Sequence, residues 1–381
     1  KMRTKKIFFA GKYYSTFRKS LGIISIALLF LFFVSCDDDV INIIKTELEF
    51  LGFDDKFALQ MVIEEPYLFV CAGSDGIWRR NIRVFSDWEY LGLRDTTLGK
   101  YSNVGALDID VLGQDILVAY NGSTSKIPQP LPPSKIVSIW RSTNIGVTWV
   151  RSDIGIPESI DDSLEYNILT SLQRSPHQPE IIISCYESTS YRSNNGGNTW
   201  TLLTGQRGVF LNYGTIRWHP FRLGEVWLFG ESALFAPYCF ARSEYGAVPK
   251  VSVNFNSLGF PSDAAVYDIV FNAGNPDIIH LATSYGIIST TDGGYSWQRN
   301  TVRLPDTGFV FRMAHHPSID GLIYLAGGKR IYRAKDFEDK AKLIAEIESG
   351  FITSLLYDLH FNSLFIGTTG GGIYVLKLNG R

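Results

Sequence analysis

Short apolar runs recur along the chain, and each ends in small residues. The clearest are residues 67–73 (YLFVCAG), 180–185 (EIIISC), 225–230 (EVWLFG), 277–283 (DIIHLAT) and 321–327 (GLIYLAG). Runs of this length, rich in β-branched and aromatic residues and bounded by Gly, Pro and Asn, predict strands. Each belongs to a longer unit with the same order of parts. An apolar strand comes first, then a turn often holding His or Pro, then the run itself. A third strand of the type Gly-Ile-Tyr/Trp-Arg-Ser leads into another turn and a fourth strand. Seven such units are predicted, at residues 56–93, 105–153, 167–203, 214–255, 264–300, 308–347 and from 352 onward. The last stops after its third strand, 372–377, while residues 40–51 form a spare strand near the N-terminus. A strand from one end that completes the sheet at the other would close a ring and leave no free edge.

The turn between third and fourth strands has its own signature. It is Ser142-Thr143-Asn144-Ile145-Gly146-Val147-Thr148-Trp149, then Ser193-Asn194-Asn195-Gly196-Gly197-Asn198-Thr199-Trp200, then Thr290-Thr291-Asp292-Gly293-Gly294-Tyr295-Ser296-Trp297. The common form is [S/T]-x-[D/N]-x-G-x-[S/T]-W, with steps of 51 and 97 residues between tryptophans, the second close to twice the first. A fixed period near fifty residues marks an array of like units. Asp or Asn closes such a turn through backbone N–H groups, Gly supplies a positive φ, and Trp packs its large apolar face on neighbouring structure. Degenerate copies occupy 331–338 and 241–246.

This motif resembles the Asp-box, or BNR repeat, of β-propellers. From about residue 56 to 378 the chain is similar to that superfamily, which includes sialidases, xyloglucanase-type glycoside hydrolases, sortilin-type receptors and photosystem II assembly-factor-type propellers. The resemblance implies an all-β fold, a single propeller of seven four-stranded blades closed by residues 40–51. Six or eight blades are the alternatives, since the first and fourth units are the weakest matches. It also implies that the motif residues Ser142, Asn144, Gly146, Trp149, Ser193, Asn195, Gly197, Trp200, Asp292, Gly294 and Trp297 are structural.

A fold of this kind hosts many activities, so function has to come from the site. A sialidase would carry an Arg-Ile-Pro tripeptide, which does not occur here. A glycoside hydrolase needs two carboxylates facing each other across a cleft. Asp108, Asp110 and Asp268 fall on predicted inner strands and are the catalytic candidates on that reading. No cofactor or metal motif occurs. His177, His219, His316 and His360 all fall in the turn after a first strand, so they are spread over different blades rather than gathered on one ion. Cys71, Cys185 and Cys239 are far apart and lack any C-x-x-C spacing, which excludes a disulfide framework or zinc site; the first two lie inside apolar runs.

The N-terminal part is a separate matter. Residues 1–19 hold seven Lys or Arg and no acid, and residues 21–34 are uncharged and mostly apolar. That is a secretion signal, too short for a spanning helix of ~20 apolar residues. Phe33-Val34-Ser35-Cys36 resembles a bacterial lipobox, with Phe33 in place of the usual Leu, which makes Cys36 the lipidation site. Asp37, Asp38 and Asp39 resemble the surface-export signal of Bacteroidetes-type lipoproteins. The expected organisation is a signal peptide over 1–35, an anchored Cys with acidic tether and closing strand over 36–55, and the propeller over 56–381. The expected location is the outer membrane, facing outward, with a periplasm-facing placement as the alternative. Without the seven N-terminal basic residues the chain holds 29 basic against 38 acidic side chains, a net charge near −9. That balance argues against a nucleic-acid partner.

The long connections at 121–135, 153–166, 204–214, 231–238 and 303–309 are predicted to crowd one face. Variable loops on a rigid scaffold are the usual seat of function. Their aromatic and cationic residues Tyr166, Arg207, Tyr213, Phe235, Tyr238, Arg303 and Phe309 are the ligand-binding candidates, since Tyr and Arg are favoured in hot spots. The preferred reading is a non-catalytic, lipid-anchored propeller that binds a protein or glycan. The alternative is a glycoside hydrolase with paired carboxylates in the central cleft.

Overall fold

The apolar runs become the second strand of an antiparallel sheet in each of seven blades. The computed structural model describes residues 45–95, 105–121, 137–156, 169–186, 189–204, 215–229, 240–245, 251–252, 255–259, 264–300, 302, 304, 310–335 and 340–379. Blade 1 takes strands Gln60–Glu64, Tyr67–Cys71, Ile77–Asn81 and Glu89–Gly92, and the next five blades repeat that order outward from the axis. The first and fourth units, weakest in sequence, are complete blades.

A second strand has a neighbouring blade on each face, so it cannot alternate apolar and polar. Every residue of Ile279–Thr283 is accordingly buried, whereas the outermost strand of the same blade, Gln298–Arg299, is exposed at both positions. Successive side chains still point opposite ways, and each goes to a different neighbour. Leu68 packs toward blade 7 and Phe69 toward blade 2; Ile116 and Leu117, Ile182 and Ile183, Val226 and Trp227, Leu281 and Ala282, Leu364 and Phe365 divide in the same manner. Among the described residues the core is therefore seven separate apolar clusters, one at each junction between blades. The seventh joins Phe365 and Val375 of blade 7 to Leu68 and Val70 of blade 1, which completes the circle.

Blade 7 is built from both ends of the described chain. Its strands Ile352–Asp358, Ser363–Gly371 and Ile373–Asn379 are completed by Lys45–Phe50, antiparallel from Lys45↔Asn379 to Phe50↔Tyr374. The closing strand predicted at 40–51 is thus present over 45–50, and residues 40–44 lie outside the described residues. Lys377 Nζ holds the latch 2.8 Å from Glu49, and Phe50 meets Tyr374 with ring centroids 5.1 Å apart. Asp54–Phe57 adds a short segment to the far end of Ser363–Gly371.

Antiparallel order gives the ring two unlike faces. One, the turn face, carries the turns between first and second and between third and fourth strands. The other, the loop face, carries the connections between second and third strands and between blades. The strands that flank the predicted binding loops end on the loop face.

Candidate binding site in the central channel

Four of the innermost strands share an irregularity at the same place. In blades 2, 3, 5 and 7 one residue is extra against the second strand: Leu107, Thr170, Tyr267 and Thr353. The next residue is Asp108, Ser171, Asp268 or Ser354, each buried. A bulge leaves backbone groups unpaired, and Asp108, Ser171 and Asp268 help satisfy them across the blade junction. Asp108 Oδ1 accepts from Ile109 N at 2.9 Å; Oδ2 accepts from Leu172 N at 2.9 Å and Ser171 Oγ at 3.0 Å, both in blade 3. Ser171 Oγ in turn accepts from Ile216 N of blade 4 at 3.3 Å. Asp268 repeats the pattern, taking Ile269 N and, from blade 6, Met313 N, each at 3.0 Å.

Asp110 is occupied differently. Its carboxylate accepts from Arg174 N at 3.1 Å and Arg174 Nε at 2.5 Å, and Arg174 continues to Asp115, which also holds Arg141. Burial pushes the Asp108 carboxyl up to about 6, opposed by Arg217 and the hydrogen bonds just named. Burial also raises Asp110, with Arg174 pulling the other way. The three carboxylates offered by the sequence as catalytic candidates thus each clamp one blade to the next, and of the three only Asp268 lines the cavity at the axis.

That cavity holds about 560 Å³ and is walled by inner strands of blades 1, 3, 4, 5, 6 and 7. Its polar lining includes Gln60, Gln173, Arg217, Asp268, Arg312 and Tyr357. Arg312 braces the ring through the carbonyls beside it. Its Nη1 donates to Tyr267 O at 3.0 Å and Phe311 O at 2.8 Å, and its Nε donates to Thr353 O at 2.6 Å. Tyr267 and Thr353 are the bulged residues of the two flanking blades, so one guanidinium ties blades 5, 6 and 7. Burial lowers the Arg312 pKa, Asp268 opposes that and Arg217 adds to it. Arg217 donates once, to Ile216 O at 2.9 Å, and stands 3.9 Å from Asp268, which leaves most of its fork toward the channel. Inner-strand alignment by unit, with [D/S]-[I/L] recurring at 108, 171, 268 and 354, is the sequence signal for the bulges. Nothing comparable marks Arg217 or Arg312.

The three turn motifs adopt one network. Ser142 Oγ accepts from Gly146 N at 2.8 Å and donates to Asn144 Oδ1 at 2.9 Å; Thr148 N donates to the same Oδ1 at 2.9 Å. Ser193, Asn195, Gly197 and Thr199 repeat these contacts, as do Thr290, Asp292, Gly294 and Ser296. The glycines have φ of +92°, +90° and +91°, where a side chain is strained. Trp149 Nε1 donates to Leu91 O at 2.7 Å and Trp200 Nε1 to Ser152 O at 2.6 Å, each reaching the preceding blade, while Trp297 meets Trp227 of blade 4 edge-on at 5.8 Å. Burial tends to raise the Asp292 pKa, but hydrogen bonds from Ser296, Thr290 and Tyr295 outweigh it and hold the carboxyl well below the usual range.

His219 and His316 serve their own turns. His219 Nδ1 accepts from Phe221 N at 3.1 Å, so its Nε2–H donates to Pro276 O of blade 5 at 2.9 Å. His316 Nδ1 accepts from Ser318 N and Ile319 N, and its Nε2–H donates to the Tyr357 hydroxyl of blade 7 at 2.7 Å. Cys71 and Cys185 are buried thiols outside any disulfide. Cys36, Cys239 and the loop candidates Tyr166, Arg207, Tyr213, Phe235, Tyr238, Arg303 and Phe309 lie outside the described residues.

Ring, latch and channel together define a seven-bladed all-β propeller closed by its N-terminal strand. The sequence matches no protein-family model and no curated protein. Solved structures are similar in fold. The chain resembles "YCF48 bound to D1 peptide" with a TM-score of 0.58 and 14% identity, over 88% of this chain and 97% of that one. It resembles "YCF48 from Cyanidioschyzon merolae" with a TM-score of 0.62 and 12% identity, over 86% and 98% of the two chains.

Proposed function

We propose that this protein is a non-catalytic binding module of the cell envelope, held by a lipid on Cys36, whose ligand is a protein segment received at the central channel and the loop face around it. The observation that carries the reading is the channel. It is roomy, lined by polar and apolar side chains alike and flanked by Arg217, whose guanidinium is only partly used, while Asp268, the candidate acid that lines it, accepts backbone hydrogen bonds on both carboxylate oxygens, as does Asp108 outside it. Groups so engaged are poorly placed to shuttle a proton to a glycosidic oxygen. A solved propeller of similar fold, YCF48 bound to D1 peptide, supports the protein ligand. The lipobox-like Phe33–Cys36 segment supports the anchor.

The test is a capture experiment with soluble protein starting at Asp37 against envelope proteins and a glycan array, with reducing-sugar release read in the same wells. Retention of a protein, weakened several-fold by Arg217→Gln without loss of folding, is the expected result. Sugar release that disappears in Asp268→Asn would replace this reading with the hydrolase. Retention of a glycan alone would keep the module and change its ligand.

A further inference from the structure

In an antiparallel pair every second residue turns its N–H and C=O away from the partner strand. On an innermost strand those groups point into the channel. Blades 2 to 6 close the first such amide with a side chain. Ile109 N and Leu172 N donate to Asp108, Ile216 N to Ser171, and Ile269 N and Met313 N to Asp268. Met61 and Leu355 hold the same register in blades 1 and 7, following Gln60 and Ser354 as Ile109 follows Asp108. Among the described residues no side chain accepts from Met61 N or Leu355 N. Two residues on, the contrast repeats. Arg174 N is held by Asp110 of the preceding blade, but Leu356 and Ala314 stand in the place of that acid before Ile63 and Tyr357, whose amides go uncapped among the described residues.

The two strands left open are also the ones that wall the cavity along its length. Its lining runs from Gln60 to Glu65 in blade 1 and from Ser354 to His360 in blade 7. That depth is roughly 16 Å, the length of about five extended residues. In a ring of seven, the blade opposite the junction of blades 7 and 1 is blade 4, and Arg217 lines the cavity from there. Its register puts it level with Leu356, near the middle of the lining. One side of the channel thus offers main-chain donors and the other a guanidinium with most of its fork unused.

We infer that the channel takes a short extended segment of another protein as an added strand, its backbone on the open inner edges of blades 7 and 1 and an acidic side chain from its middle on Arg217. This rests on the reading of the channel as a protein-binding site. Leu355 N and Tyr357 N are two residues apart, about 7 Å along the strand, which is the spacing of the carbonyls on one edge of an extended chain. Sugar hydroxyls offer no such repeat. Main-chain bonds of this kind supply affinity and leave specificity to the side chains.

The ring itself supplies the variant that closes the edge. Asp108 caps the next amide of its own blade and the equivalent amide of the following one, so Ser354→Asp would cap Leu355 N and Met61 N. Gln60→Asp, which would cap Met61 N alone of the two, is the second variant should the first not fold, and thermal unfolding checks both. The probe is an array of random six-residue peptides, acetylated at the N-terminus and either amidated or free at the C-terminus, on soluble protein starting at Asp37. The expected result is retention of amidated peptides with Asp or Glu at a middle position, weakened several-fold by Ser354→Asp and by Arg217→Gln. Hydrogen exchange over Gln60–Glu64 and Ile352–Asp358 should slow several-fold in the parent when such a peptide is bound. Peptides that bind the capped variants equally well, or that leave that exchange unchanged, overturn the added strand and leave the binding module standing. Capture of whole envelope proteins but of no peptide does the same. Retention of free-ended peptides alone gives Arg217 the chain end and overturns the mid-segment acid. Protein that holds neither peptides nor envelope proteins overturns both readings.

Discussion

Replacing Asp108 with Asn should change the stability of the ring by an amount that reverses sign with pH. Burial moves the Asp108 carboxyl from the usual 3.8 to about 6. Its folded pKa lies above its unfolded one, so the native state holds the proton more tightly and stability falls as pH rises between the two values. Above pH ~7 the gap costs on the order of 3 kcal/mol; at pH ~4 roughly 0.5 kcal/mol of that remains. Asn carries no charge and escapes the cost at every pH. It keeps one oxygen for Leu172 N and Ser171 Oγ but turns its amide toward Ile109 N, which forfeits a hydrogen bond of about 1–1.5 kcal/mol. The Asp108→Asn protein should thus be about 1 kcal/mol less stable than the parent near pH ~4 and about 1–2 kcal/mol more stable near pH ~7.5. Urea unfolding followed by tryptophan fluorescence at the two pH values measures the difference, in which the other titrating groups cancel. A difference that stays constant, or that moves toward the parent as pH rises, would refute the burial argument.

Other substitutions probe other joints. Gly294→Ala should destabilise more than Gly197→Ala, because both have φ near +90° but the new Cβ would stand 2.5 Å from the buried Trp227 ring in one and 3.2 Å from a Leu117 methyl in the other; thermal unfolding should rank them, with the first losing roughly 2–3 kcal/mol or more. Arg312→Met should cost about 3–5 kcal/mol, since it strips donors from three carbonyls and removes one of the two guanidinium charges near Asp268, and Arg312→Lys should recover part of that in urea titrations. Removing residues 1–51 should lower the unfolding midpoint and promote association visible by light scattering, because Ile373–Asn379 becomes an open edge.

The ring was readable in the sequence because its most diagnostic strand is apolar at every position, as in Ile279–Thr283, and because the Ser-Asn-Gly-Thr-Trp turns recur at a fixed interval. The latch was readable for a related reason: a last unit that stops at its third strand needs a partner, and residues 45–50 supply it. The site was harder to see. Arg217 and Arg312 look like solvent-facing strand residues, and only closure of the ring turns that side of the strand toward an axis. Asp108 and Asp268 suggested chemistry because an acid on an inner strand can face the axis. Their work is set by a bulge one residue earlier, which places them against the amides of the next blade. The loop candidates, from Tyr166 to Phe309, fall outside the described residues.

The latch also has a consequence for how the molecule is made. Lys45–Phe50 leaves the ribosome before any blade exists, and its partner Ile373–Asn379 is synthesised more than 300 residues later. Blades 1 to 6 can stack in order of emergence, each seeded by the one before. The seventh cannot, and contacts between chain ends this far apart are slow to form. If the protein is exported, both ends must reach the same compartment before the circle closes. A molecule that loses its last strand in transit is left as an arc, with one blade unfinished and an N-terminal strand that has nothing to pair with.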